Sequence, residues 1–312
     1  MPATARSARR SDLIVRHLVW ALPLVMAAAT GGRATAEEVT AESVARGAYL
    51  FVAADCGSCH TDSKNGGAPL GGGRAIKTAF GTFYTPNISP DRDHGIGTWT
   101  DSQFIRAFRK GVSPDGRDYY PAFPYTSFTG MTDRDLLDLK AYLFSQPPVP
   151  TADRPHDLRF PYSVRWALMP WKILYFREGP FLGDASRSME WNRGAYLVKA
   201  VTHCGECHSP RNALGAIDKA RRFAGVWNGP DGLNAPNITP HPDGLGKWST
   251  SDIEALLKDG ITPNGDFVGS GMREVVSNTA KLSDADRHAI AVFLRALPPK
   301  EPTPKPAATA SR

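Results

Sequence analysis

Cys56-Gly57-Ser58-Cys59-His60 and Cys204-Gly205-Glu206-Cys207-His208 decide how this chain is read. Each puts two thiols three residues apart, on one turn of a helix, with an imidazole directly after the second. That spacing is the attachment pattern of c-type haem. The thiols form thioethers with the two porphyrin vinyl groups, and the histidine sits beneath the iron as its proximal ligand. The motifs consume all four cysteines of the chain. Two disulfides are the ordinary expectation for four cysteines in an exported protein, but the paired spacing argues against them. A thioredoxin-like pair would want one motif without the histidine, and a zinc site would use all four cysteines or distant histidines. The expected cofactor is therefore two covalently bound haem c groups, one on Cys56, Cys59 and His60, the other on Cys204, Cys207 and His208.

The surroundings of the motifs also match. Arg46-Gly47-Ala48-Tyr49-Leu50 returns as Arg193-Gly194-Ala195-Tyr196-Leu197, and Pro86-Asn87-Ile88 as Pro236-Asn237-Ile238. Gly95-Ile96-Gly97-Thr98-Trp99 returns as Gly244-Leu245-Gly246-Lys247-Trp248, and Pro114-Asp115-Gly116 as Pro263-Asn264-Gly265. A nearly constant offset over such a length is the mark of a tandem duplication.

Each half predicts the same helical outline. A first helix leads into the cysteine motif, and a Gly- and Pro-rich loop follows. Thr100 with Gln103, and Ser249 with Asp252, are N-terminal caps of helices that stop at Gly111 and Gly260. Thr132 with Asp135, and Ser283 with Asp286, start the last helices, which end before Pro147 and Pro298. Leu136, Leu139 and Leu143, like Ile290, Phe293 and Leu297, recur at helical spacing and are expected in the core. No strand pattern stands out, so the expected class is all-α. Between the halves, residues 149–188 are rich in Pro and aromatics (Tyr162, Trp166, Trp171, Tyr175, Phe176) and are expected to pack across both domains.

The chain has 312 residues, 41% of them hydrophobic and 22% charged, which excludes a wholly disordered or fibrous protein. Its formal charge is +6, but the first 36 residues hold five arginines against Asp12 alone, leaving +2 for the rest. The basic balance is thus no argument for a nucleic-acid partner. Those 36 residues read as an export signal: a basic stretch to Arg16, an apolar run from Leu18 to Ala29, then Ala34-Thr35-Ala36 as a cleavage site. Pro23 interrupts the apolar run, which is shorter than the ~20 residues that a membrane span needs. Arg9-Arg10 resembles a twin-arginine signal, but Ser11-Asp12-Leu13 fit it poorly. The expectation is a soluble periplasmic protein, cleaved after Ala36, with domains at 37–148 and 189–300 and a disordered Pro/Ala-rich tail at 301–312.

An electron-transfer haem keeps a sixth ligand, and methionine is the usual one opposite histidine. Met272 is the obvious distal ligand of the second half. In the first half the repeat places Phe123 opposite Met272, so Met131 is the nearest methionine, with His94 as its rival. The indoles of Trp99 and Trp248 and the guanidinium groups of Arg74 and Arg211 are candidates to bind haem propionates. Pro69 and Pro210 are expected to fix the carbonyl that orients each proximal histidine. His156, His203, His241 and His288 have no repeat partner and are expected on the surface.

The paired motifs, Thr85-Pro86-Asn87-Ile88, Gly95-Ile96-Gly97-Thr98-Trp99, Tyr120-Pro121-Ala122-Phe123-Pro124-Tyr125 and Met131-Thr132-Asp133 resemble the cytochrome c subunits of bacterial membrane-bound alcohol, aldehyde and sugar-acid dehydrogenases. The resemblance covers nearly all of the chain after the signal. It implies two class I-type cytochrome c domains joined by the aromatic linker, and it supports Met131 as a ligand, since that family has a methionine before the last helix. The departure is the haem count: the best-known members carry three haems and often a C-terminal anchor. Similar two-haem subunits accompany molybdenum hydroxylases. The implied role is a non-enzymatic relay from a partner dehydrogenase to quinone, an oxidase or another cytochrome, with peripheral membrane association left open. The alternative is a two-haem peroxidase or sulfur-compound oxidase with an open site at the first haem.

Overall fold

The computed structural model describes residues 40–305. The expected export signal and residues 306–312 of the expected tail lie outside them.

The first half opens with α1 (Ala41–Ala53), whose capping box pairs Thr40 with Ser43. After two residues comes the short α2 (Cys56–His60) that carries the first motif. A hairpin follows, β1 (Ala75–Thr78) antiparallel to β2 (Gly81–Tyr84). Next is α3 (Asp101–Lys110), capped by Thr100 and Gln103 and stopped at Gly111, whose φ of 60° suits a residue without a Cβ. The one-turn α4 (Tyr125–Phe128) and α5 (Asp133–Phe144), capped by Thr132, complete the half. The intervening segment adds β3 (Asp157–Leu158) to the edge of β2 and forms α6 (Leu168–Tyr175). The second half holds α7 (Met189–Tyr196), which continues as a π-helical turn over Leu197–Val201, and α8 (Gly205–His208) with the second motif. It ends with α9 (Thr250–Asp259), capped by Ser249 and Asp252 and stopped at Gly260, then α10 (Ser270–Thr279) and α11 (Asp284–Arg295), capped by Ser283.

Two helix crossings organise the core. α1 lies on α5 at Gly47, where a Cβ would come within 1.9 Å of the Asp138 carbonyl oxygen. α7 lies on α11 at Gly194, where a Cβ would come within 1.9 Å of the Ala289 carbonyl oxygen. The matching Arg-Gly-Ala-Tyr-Leu elements thus mark places where two backbones touch. Leu136, Leu139, Leu143, Ile290 and Phe293 are buried there, and one hydrophobic cluster runs through both halves. The fold is mostly helical, as expected of a cytochrome c domain.

The all-α expectation needs one correction, the three-stranded sheet. Its strands are four residues or fewer, too short for alternation to show in the sequence. Local chemistry nevertheless favours them: Ile76, Thr78, Thr82, Phe83 and Tyr84 are β-branched or aromatic. Gly81 permits the close approach of β3, since its φ is 122° and a Cβ would lie 2.3 Å from the Asp157 carbonyl oxygen.

The described part of the tail makes contacts with the second half. Thr303 donates its N–H to the Ala224 carbonyl at 3.0 Å, and Trp227 donates its indole N–H to the Thr303 carbonyl at 2.9 Å. Thr303 is therefore held, because its backbone groups find partners on the second half. The linker touches both halves: Lys172 pairs with Asp118 at 2.6 Å, and the Trp171 indole donates to the Leu214 carbonyl at 2.8 Å. Leu168 is buried and Phe176 stands 5.1 Å from Tyr125 between ring centroids, whereas Phe160, Trp166, Met169, Ile173 and Leu174 are exposed. Among the described residues no helix is long and apolar enough to cross a membrane.

Candidate functional site

The residue before each first cysteine turns the chain sharply. Asp55 and His203 both have left-handed backbones, with φ of 53° and 39°, so that α2 and α8 start at an angle to the helices before them. None of the four cysteines is in a disulfide. Burial, first of all, pushes the Cys59 and Cys207 thiols up to about 11, and Cys56 and Cys204 are raised by burial too. His203, directly before Cys204, has its Nε2 3.2 Å from the carbonyl oxygen of Ala54, two residues before Cys56, so the starts of the two motifs approach each other.

The histidines are oriented identically. His60 Nδ1 lies 2.8 Å from the Pro86 carbonyl oxygen, and His208 Nδ1 lies 2.8 Å from the Pro236 carbonyl oxygen. A carbonyl only accepts, so Nδ1 carries the proton and Nε2 keeps its lone pair. Burial lowers both imidazole pKa values, against the opposing effect of the carbonyl, and keeps the rings neutral. The carbonyls thus belong to Pro86 and Pro236, not to Pro69 and Pro210. The reason is in the next residue. Asn87 accepts from the Ser89 N–H and donates to the carbonyls of Val149 and Thr151, while Asn237 accepts from the Thr239 N–H and donates to the Lys300 carbonyl. Each asparagine ties the prolyl segment to the chain that leaves the last helix.

Met131 is fully buried, just before α5, and its own carbonyl accepts from Arg109 Nη2 at 2.6 Å. Met272 lies in the first turn of α10 and packs, partly buried, against the core. His94 sits on an exposed turn with Nδ1 3.3 Å from the Asp91 carboxylate. Phe123 belongs to an aromatic cluster, 5.2 Å from Phe108 and 5.6 Å from Tyr119 between ring centroids.

Trp99 and Trp248 are half-buried against the core, and neither indole N–H has an acceptor among the described residues. Arg74 donates to the Ser58 carbonyl and lies 3.7 Å from Asp231 and 3.6 Å from Glu274. Arg211 is engaged inside the protein, by the Gly215 carbonyl at 2.8 Å and by the Glu206 carboxylate. Sequence reasoning passed over Glu206, which is buried inside the second motif and also accepts from Ser127 and Thr126 of the first half. Burial pushes its carboxyl up, but Arg211, Ser127 and His203 more than offset this and hold it below the usual range. His203 is not at the surface as expected: it is half-buried, its Nε2 lies 3.2 Å from the Ala54 carbonyl, and its ring stands edge-on to Phe128. Arg222 also escaped notice; its buried Nε has no partner among the described residues, beside Gly205 of the motif.

Paired cysteines outside any disulfide, each pair followed by an imidazole whose Nε2 is unprotonated, form the donor set that covalent haem requires, and the residues fit it. The sequence model of the cytochrome c family matches residues 44–147. A protein described as a dihaem c-type cytochrome, from Cereibacter sphaeroides, is 46% identical over 258 residues, covering 81% of this chain and 85% of that protein. The chain belongs to the cytochrome c family. Its prosthetic group is accordingly covalently bound haem c. The cytochrome is also similar to the fructose dehydrogenase cytochrome subunit of Gluconobacter japonicus, at 41% identity over 83% of this chain and 53% of that protein. A nicotinate dehydrogenase subunit of Pseudomonas putida is 40% identical over 83% of this chain and 22% of that protein. The cytochrome therefore spans about half the length of the second relative and about a fifth of the third.

Proposed function

We propose that this cytochrome is an exported electron carrier with two haem c groups, one in each of two tandem cytochrome c domains. Cys56, Cys59, His60 and Met131 hold the first, and Cys204, Cys207, His208 and Met272 the second. The protein takes single electrons from a periplasmic or membrane-associated dehydrogenase and delivers them to quinone, an oxidase or another cytochrome. The observation that carries this reading is the identical placement of His60 and His208, each with Nδ1 held 2.8 Å from a prolyl carbonyl and Nε2 free.

Haem c, when bound, supplies an iron that gains and loses one electron. The chain's part is positional. Pro86 and Pro236 fix the rotation of each imidazole and raise its basicity as a ligand. The buried thioether of Met131 and the core-packed thioether of Met272 are soft, neutral donors. The apolar cluster around them keeps water away, and the approach of the two motifs keeps the path between them short. A dehydrogenase partner is supported by the names of two of the relatives, and export by the basic, apolar and small-residue pattern of residues 1–36. Full burial of Met131, with His94 held at the surface, favours the carrier over an enzyme with an open first site.

The test is the intact mass of the exported protein together with its reduction by a co-purifying dehydrogenase. A mass of two haems above the chain cleaved after Ala36, and substrate-driven reduction of both, is expected. One haem, none, or an uncleaved chain overturns the corresponding part of the reading.

A further inference from the structure

Each cysteine motif is hydrogen-bonded to the segment of the opposite half that carries a methionine. Glu206, within the second motif, accepts from Ser127 Oγ at 2.6 Å and from Thr126 Oγ1 at 3.1 Å. Both donors are on α4 of the first half. From there the chain turns tightly to Met131: the Ser127 carbonyl accepts from the Gly130 N–H and the Phe128 carbonyl from the Met131 N–H, each at 2.9 Å. That turn also packs against the second half, since a Cβ on Gly130 would lie 2.8 Å from the Ala200 Cβ. In the other direction Asp55, directly before Cys56, accepts from Asn278 Nδ2, and Asn278 shares α10 with Met272. Two residues from Met272, Glu274 lies 3.6 Å from Arg74, whose guanidinium rests on the Ser58 carbonyl of the first motif.

These contacts are not copies of one another. The repeat sets Glu206 against Ser58 and Asp55 against His203. Different residues at non-equivalent places do the same thing, so the crossed arrangement is not a by-product of an inherited contact. A buried carboxylate that accepts from two hydroxyls and a guanidinium is fixed in place, because charge-assisted bonds are short and directional. From its own half, the Met131 turn is held by Arg109, which reaches the carbonyls of Thr129 and Met131. From the other half, Glu206 is its polar anchor.

We infer that Glu206 and Asp55 are positioning residues for the distal methionine of the opposite half: Glu206 steadies the turn that presents Met131, and Asp55 the helix that presents Met272. This rests on the reading of both methionines as ligands. Its consequence is that the ligand field of each haem answers to the attachment motif of the other.

The test uses the holoprotein with carbon monoxide as the probe, and compares ferric spin state and the rate of binding to the reduced protein. Met131→Ala and Met272→Ala supply the reference signatures of an open first and an open second site. Ser127→Ala is expected to raise carbon monoxide binding with the Met131→Ala signature by about tenfold or more, the shift in population that follows loss of one hydrogen bond to a charged group. Ser127→Thr keeps the hydroxyl and is expected to restore the native rate. Asn278→Ala is expected to give the Met272→Ala signature. Unchanged binding in Ser127→Ala, or an effect of Glu206→Gln confined to the Met272→Ala signature of its own half, overturns the inference. If Met131→Ala itself opens nothing, the ligand reading fails and the inference falls with it. If Met131→Ala opens the site and Ser127→Ala does not, the inference alone falls.

Discussion

Tyr49 donates its hydroxyl proton to the Asp286 carboxylate at 2.6 Å and accepts the Ser283 N–H at 3.2 Å, so a side chain of the first half caps the last helix of the second. The relation is reciprocal. Tyr196 donates to Asp135 and accepts the Thr132 N–H at 3.2 Å, capping the last helix of the first half. Each tyrosine supplies a partner to an otherwise free N-terminal N–H group. Tyr49→Phe removes both bonds and leaves Asp286 with Arg193. It is expected to cost about 1–2 kcal/mol, read as a fall in denaturant midpoint. Tyr196→Phe is expected to cost as much, and the double variant to depart from the sum, because Arg193 pairs with Asp286 at 2.8 Å and lies 5.8 Å from the Tyr196 ring centroid.

The same site sets an acid limit. Burial pushes the Asp286 carboxyl up, but the Arg193 pair at 2.8 Å and the Tyr49 hydroxyl outweigh this and hold it below the usual carboxylate range. A depressed folded pKa contributes stability above the unfolded value, and that stability is lost as pH falls through the folded value. Unfolding free energy should therefore fall below roughly pH 4. Asp286→Asn should be less stable at neutral pH, with a shallower acid slope. Parallel slopes would show that the carboxylate is not linked to folding.

Gly194→Ala pits local against tertiary preference. Alanine gains about 1 kcal/mol in an isolated helix. Here the new Cβ meets the Ala289 carbonyl oxygen at 1.9 Å and Phe293 Cβ at 2.8 Å, so α7 and α11 must separate. A net loss of roughly 2 kcal/mol or more is expected, and the same for Gly47→Ala against Asp138. Thermal unfolding of the two variants measures it.

Met131, His94 and Phe123 separate in a spin-state experiment. Met131→Ala is expected to turn one of the ferric haems high-spin and to admit carbon monoxide. His94→Ala is expected to leave the spectra unchanged, since its ring lies at the surface on Asp91. Phe123→Leu is expected to lower stability through the aromatic cluster without a change of spin.

Tyr125 carries a buried hydroxyl with no partner among the described residues. Tyr125→Phe removes that unmet polar group and keeps the ring in place. It is expected to leave stability unchanged or raise it by up to about 1 kcal/mol, read from the melting temperature.

Local chemistry was legible along the chain. Two thiols and an imidazole at fixed spacing, the caps at Thr100, Thr132, Ser249 and Ser283, and the glycine stops at 111 and 260 each depend on residues within a few positions of one another. The repeated Arg-Gly-Ala-Tyr-Leu element was visible too, and it held the signal for Gly47, Gly194, Tyr49 and Tyr196. Its use was not legible, because a glycine's neighbour across a helix crossing is distant in the chain. It took the packed fold to show that Pro86 and Pro236, some 26 and 28 residues from their histidines, supply the orienting carbonyls. It also committed Arg211 to Glu206, drew β3 onto a hairpin too short to announce itself, docked Thr303, and set each motif against the other half's methionine segment. Carbonyls, carboxylates and hydroxyls are common along any chain; which of them meet in a buried place is settled by packing, where an unpaired polar group is too costly to leave alone.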